Sequence, residues 1–105
     1  NMPEDVAIID VEEYLIVGNR QKLKKRILDE IDKGKRKFVI DFSKSLYVDS
    51  SGLGVLISIS KKIDEQDGEL RLASLNKGLR TLFELTKLDT LFEIAENREE
   101  ALKDI

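Results

Sequence analysis

The chain has 105 residues, 41% of them hydrophobic and 37% charged, with a formal net charge of −3; this suits one small globular domain with its own core. It contains neither Cys nor His, which excludes disulfides, thiolate nucleophiles, the common zinc sites and every Ser-His-Asp arrangement. The acidic balance argues against direct nucleic-acid binding, which wants a basic face. The apolar runs all fall short of the roughly 20 residues needed to span a bilayer, and the start of the sequence has no charged-then-apolar signal pattern. The reading is therefore a cytoplasmic domain without membrane contact, residues 2–105, with Asn1 before Met2 as an expression remnant.

Residues 6–9 and 14–17 are short apolar runs separated by the polar stretch 10–13, and they suggest two strands joined by a tight turn, an antiparallel hairpin. Gly18 and Asn19 break the extended run. From Gln21 the spacing turns helical, with Leu23, Ile27 and Ile31 four apart and Lys33 and Gly34 as the stop. The basic cluster at 22–26 is followed by Asp29, Glu30 and Asp32, the mixed pattern of a solvated helix face. Residues 38–42 form an apolar run interrupted only by Asp41, as in a strand buried on both faces.

After a short polar loop, residues 46–48 lead into the turn Asp49, Ser50, Ser51, and a helix is predicted over 51–65. Its apolar face carries Leu53, Leu56, Ile57, Ser60 and Ile63, with Val55 and Ile59 widening the stripe. Residues 69–73 read as a strand, Leu79, Leu82, Phe83 and Leu85 as a third helix, and 91–95 as a last short strand. A helix over 97–105 closes the order, its start marked by Asn97 with Glu100 three residues on. The order β-β-α-β-α-β-α-β-α predicts an α/β domain with a mixed, mostly parallel sheet of about five strands, an N-terminal hairpin and about four helices.

Functional groups in such sheets gather at strand carboxyl ends, and the turn at 49–54 lies at one of them. Ser or Asp at a helix start can accept from the unpaired N–H groups of the first turn, which also carries partial positive charge. Gly52 and Gly54 permit close approach there, although each costs about 1 kcal/mol of helix propensity relative to Ala. Asp49 and the two serines are compatible with an N-cap and nothing more. Yet three short polar residues and two glycines exceed what one cap requires. Asp41 and Asp49, if brought together, could hold a cation or a phosphoryl group, against the simpler reading of two turn carboxylates bonded to nearby backbone. Ser58 and Lys61 form an SxxK pattern inside a predicted helix, and neither nucleotide-binding glycine fingerprint is present.

The sequence DSSGLG at 49–54, preceded by the strand and loop of 39–48, resembles the signature of the anti-sigma factor antagonists, single-domain STAS proteins. The resemblance continues through Gly68, Glu69 and Leu70 and the segment 77–92 with Leu79, Leu82, Phe83, Leu88 and Phe92. It implies a STAS-like fold and a regulatory binding protein, not an enzyme, with no cofactor and no bound metal. It further implies that Ser50 is phosphorylated by a partner that is both serine kinase and anti-sigma factor. The unmodified form then binds that kinase and frees a sigma factor, the phosphorylated form does not, and a phosphatase returns it to the unmodified state. On the same footing Asp49 orients Ser50, while Ser51, Gly52 and Leu53 form part of the docking surface. A scaffold or a small-ligand or nucleotide-binding module using the same turn is the alternative. The chain departs from the family where an acidic residue commonly follows the glycine ending the second strand; here Gly18 precedes Asn19, Arg20, Gln21 and Lys22. That loop is expected to lie beside the Ser50 turn.

Overall fold

The computed structural model describes residues 4–105, so the expectation about Asn1 lies outside the described residues. Strands β1 (Val6–Asp10), β3 (Lys37–Asp41), β5 (Glu69–Ala73) and β6 (Glu93–Ala95) form a four-stranded sheet in the order β1-β3-β5-β6, with every neighbouring pair parallel. Strands β2 (Tyr14–Leu15) and β4 (Tyr47–Val48) form a separate two-stranded parallel sheet. Four α-helices connect and cover these strands: α1 (Arg20–Asp32), α2 (Ser50–Glu65), α3 (Lys77–Leu85) and α4 (Arg98–Leu102). A 3-10 turn at Leu88–Thr90 precedes β6.

The period-2 alternation of β3 divides the core. Phe38 and Ile40 face one side, where they pack with Leu23 and Ile27 of α1, Leu56, Ile59 and Ile63 of α2, and Leu79 and Phe83 of α3. Val39 faces the other side and packs with Ala73 and with Ala101 of α4, where Ile8, Leu102 and Ile105 complete a smaller cluster. Phe38, Val39 and Ile40 are all fully buried, as the continuous apolar run requires. Phe83 makes edge-on contacts with Phe42 and Phe92, at centroid distances of 6.5 and 6.0 Å. The buried stripe of α2 is centred on Val55, Leu56, Ile59 and Ile63, while Leu53, Ile57 and Ser60 are half-buried at its margin.

Local signals set the helix ends. Gly34 has φ of 95° just past α1, and its N–H donates to the Ile31 carbonyl at 2.9 Å. Asn76 caps α3 through the Leu79 N–H at 2.8 Å, and Asn97 caps α4 through the Glu100 N–H at 2.9 Å. Leu82 is half-buried on α3, and Leu85 at its end is exposed.

The N-terminal hairpin is a correction. β1 pairs in parallel with β3, and β2 pairs in parallel with β4. Val11 continues past β1 with its N–H on the Asp41 carbonyl at 3.0 Å and its side chain buried. The stretch after β1 therefore carries the chain sideways into a second sheet instead of reversing it. It also lacks the Asn-Gly or Gly-X pair that a two-residue hairpin turn demands.

Candidate functional site

The β2–β4 sheet positions the start of α2. Leu15 and Val48, opposite each other in register, point into the core at 2% and 3% exposure. Their neighbours Tyr14 and Tyr47, also in register, point outward at 48% and 55%. β4 then delivers Asp49 at the N-cap of α2 with extended backbone, φ −89° and ψ 179°.

Asp49 is occupied on both carboxylate oxygens. Oδ1 accepts from the Gly52 N–H at 2.7 Å and Oδ2 from the Val17 N–H at 3.2 Å, while its own N–H donates to the Leu15 carbonyl at 3.1 Å. Its backbone carbonyl takes the Leu53 N–H at 3.0 Å. Four N–H groups at a helix start lack intrahelical acceptors in the first turn. That of Gly52 is taken by Asp49 Oδ1 and that of Asp49 by the Leu15 carbonyl, which leaves those of Ser50 and Ser51 without a protein acceptor among the described residues, a small anion-receptive end. Ser50 itself is exposed, Ser51 and Leu53 are half-buried, and Gly52 is buried.

The two glycines differ. A Cβ on Gly52 would stand 2.4 Å from the Leu15 carbonyl oxygen and 2.8 Å from Val48 Cγ1, so the helix start is packed directly against β2 and β4. A Cβ on Gly54 would meet nothing within 4 Å. Gly54 lies one turn beyond Ser50 on the same face, leaving that face bare.

The turn at 16–19 closes against this site, whereas Arg20, Gln21 and Lys22, expected in the same loop, form the first turn of α1. Asn19 Oδ1 accepts from the Ile16 N–H at 2.9 Å, its Nδ2 donates to the Tyr14 carbonyl at 2.7 Å, and the held turn presents Val17 to Asp49. The basic charge at the start of α1 is partly cancelled, because Lys22 pairs with Glu12 at 2.6 Å. Val17, 65% exposed, and Leu46, also 65% exposed, add apolar surface beside the tyrosines. Sequence reasoning missed this surface, since the two tyrosines and Val17 were absorbed into strands. The legible signal was the alternation Tyr14-Leu15 and Tyr47-Val48, which sends one residue of each pair outward.

Asp41 and Asp49 have separate partners. Asp41, buried, accepts from the Ser43 N–H at 2.9 Å and from Arg98 Nε at 2.8 Å, and Arg98 also reaches Asp10. Burial pushes the Asp41 carboxyl up, but the Ser43 N–H, the Arg98 guanidinium and Ser74 together outweigh it and hold it below the ordinary carboxylate value. The pair thus gives no shared cation or phosphoryl site. Ser58 and Lys61 lie within α2, with Lys61 exposed. Among the described residues there is no group of three His, Cys, Asp or Glu side chains arranged to hold a metal, and no helix is long and apolar enough to cross a membrane.

The model of the STAS domain family matches residues 2–101. The chain belongs to the STAS domain family. BtrV of Bordetella bronchiseptica, assigned as an anti-sigma factor antagonist, is 32% identical over 84 residues, covering 80% of this chain and 72% of BtrV. The crystal structure of TM1081 from Thermotoga maritima, likewise assigned as an anti-sigma factor antagonist, superposes with a TM-score of 0.88 at 30% identity, covering 100% of this chain and 91% of that one. SpoIIAA, an anti-sigma factor antagonist solved in its unphosphorylated form, shares the fold with a TM-score of 0.77 at 18% identity over 92% of this chain and 85% of its own. The family is thus that of the anti-sigma factor antagonists, and its STAS architecture matches the four helices and parallel sheet described above.

Proposed function

We propose that this STAS domain is a phosphorylation-switched binding protein: unmodified, it docks an anti-sigma factor serine kinase and frees a sigma factor, and phosphate on Ser50 ends that contact. The observation that carries this reading is a division of labour at one helix start. Asp49 performs the capping with both oxygens, so the exposed Ser50 hydroxyl is not needed to hold the fold together. A phosphate there meets the Ser50 and Ser51 N–H groups and the positive end of α2, which tolerate the added charge of about −1.5 to −2. Around it, Val17, Tyr47 and Tyr14 offer apolar area, and the bare face at Gly54 lets a partner approach the helix backbone.

Within this proposal Ser50 is the phosphoacceptor, Asp49 fixes its position, and Ser51, Gly52 and Leu53 contribute to the docking surface, Gly52 through close packing and not through direct contact. The kinase supplies nucleotide and catalytic groups, and a phosphatase resets the switch. The names of the relatives support this assignment of partner class. The test is intact-mass analysis after incubation with a cognate kinase and ATP. One phosphate is expected on wild type and on Ser51→Ala and none on Ser50→Ala; phosphate retained in Ser50→Ala removes Ser50 from the mechanism.

A further inference from the structure

A cleft lies between α1 and the connection from β1 to β2, behind the loop that backs the Ser50 turn, and Tyr14 and Asn19 of that region are part of its lining. It has a volume of about 330 Å³ and a floor of Ile9, Val11, Leu15 and Leu23, all at least nine-tenths buried. Residues 49–54 do not line it. Its volume falls at the small end of small-molecule sites, and its aliphatic floor lies under a rim that is mostly charged, formed by Asp10, Glu12, Lys22, Lys25, Arg26 and Asp29.

The rim decides the charge of a ligand. Each rim carboxylate is already engaged: Glu12 by Lys22 at 2.6 Å and Asn19 at 3.2 Å, Asp29 by Lys25 at 2.9 Å, and Asp10 by Arg98. Arg26, which also lines the cleft, is the exception among the rim cations. Its nearest carboxylate, Glu30, meets only Nε, at 3.5 Å, and shares its charge with Lys33 at 3.6 Å. The terminal nitrogens of Arg26 have no hydrogen-bond partner among the described residues. A planar guanidinium with both ends free is suited to a carboxylate, which it grips with two parallel bonds. A cationic head would meet Lys22, Lys25 and Arg26 with no uncommitted acid to receive it.

We propose that this cleft binds a small amphipathic carboxylate, with its hydrocarbon part on Ile9, Val11, Leu15 and Leu23 and its carboxylate on Arg26. The experiment is a titration of the isotope-labelled 105-residue chain with octanoate below its micelle concentration, followed by amide and methyl NMR shifts. Octylammonium serves as the counterpart of opposite charge. Saturable shifts at the four floor residues are expected with octanoate, with at least about tenfold weaker binding of octylammonium. Arg26→Gln keeps the helix-forming stem on an exposed part of α1, its unchanged spectrum reports an intact fold, and it lowers octanoate affinity by about tenfold or more. Absence of saturable shifts, equal binding of octylammonium, or unaltered affinity in Arg26→Gln overturns the proposal. Co-sedimentation with phosphatidylglycerol vesicles separates a membrane source of the anion: vesicle binding without an octanoate response also overturns it.

Discussion

Exchange of each glycine in the first turns of α2 for alanine should move stability in opposite directions. Both positions are helical, so alanine brings the same propensity gain of about 1 kcal/mol at each. At Gly54 nothing opposes it, because a Cβ there has no neighbour within 4 Å, and Gly54→Ala is expected to stabilise the domain by about 0.5–1 kcal/mol. At Gly52 the new carbon would lie 2.4 Å from the Leu15 carbonyl oxygen, 2.8 Å from Val48 Cγ1 and 3.0 Å from Leu15 Cγ. Two of these belong to buried side chains and one to the backbone of a paired strand, so none can swing aside. Overpacking of this kind costs typically 1–3 kcal/mol, and a backbone contact places it at the upper end. After subtraction of the propensity gain, Gly52→Ala should lose about 2 kcal/mol. Urea unfolding measures both, and a domain of this size converts each kcal/mol into a melting shift of about 4–8 °C. A Gly52→Ala domain as stable as wild type, or a Gly54→Ala domain less stable, would refute the close packing of the α2 start on β2.

Two further outcomes follow from the same geometry. Ser50→Asp places a negative charge on the docking face while Asp49 still caps α2, so circular dichroism and melting should be unchanged. Affinity for the kinase in calorimetry should fall about a hundredfold, since one like charge near 4 Å at an effective dielectric of about 20 costs on the order of 4 kcal/mol and a hundredfold loss needs only about 2.7; equal affinities would reject an electrostatic switch. Arg98→Ala strands the buried Asp41 carboxylate and should lower stability at neutral pH by about 1–3 kcal/mol, toward the lower end because Arg98 remains open to water. Asp41 is held below its ordinary value of about 3.9 in the folded chain, so its contribution is present above that value and is lost as pH falls through the folded pKa. The deficit of Arg98→Ala should accordingly shrink on acidification, and a deficit independent of pH in urea titrations would count against the pair.

Periodicity made most of the helices and central strands legible, because each has one dominant environment. The four-apart spacing of Leu23, Ile27 and Ile31, the Asn cap at 97 and the glycine at 34 are local instructions, and the folded chain follows them. The pairing of β1 and β2 was not local. Two short apolar runs four residues apart fit a hairpin by spacing, yet each strand takes a partner more than 25 residues away, Val6 opposite Lys37 and Tyr14 opposite Tyr47. What selects the parallel pairing is burial: β3 is apolar on both faces, and β1 covers one of its edges while α1 crosses over. At the site, the DSSGLG turn was legible because serine, aspartate and glycine carry their backbone roles in their chemistry. The outward tyrosines were not, since a two-residue strand has too few positions to display its alternation.

That short second sheet also bears on the expectation that a charge at Ser50 leaves the fold intact. A cap serving only its own helix would leave the β2–α1 loop free, and a new charge at Ser50 could then be relieved by displacement of that loop. Here the Asp49 carboxylate holds the Gly52 N–H with one oxygen and the Val17 N–H with the other, and Asn19 fixes the same loop from behind through Ile16 and Tyr14. Each of these bonds joins the Asp49 or Asn19 side chain to a backbone N–H or carbonyl, and none uses the Ser50 side chain. With loop, strand and helix start tied at one carboxylate, a charge added to the neighbouring hydroxyl has little structure to relax into, and its free energy is expressed at the surface where a partner would sit.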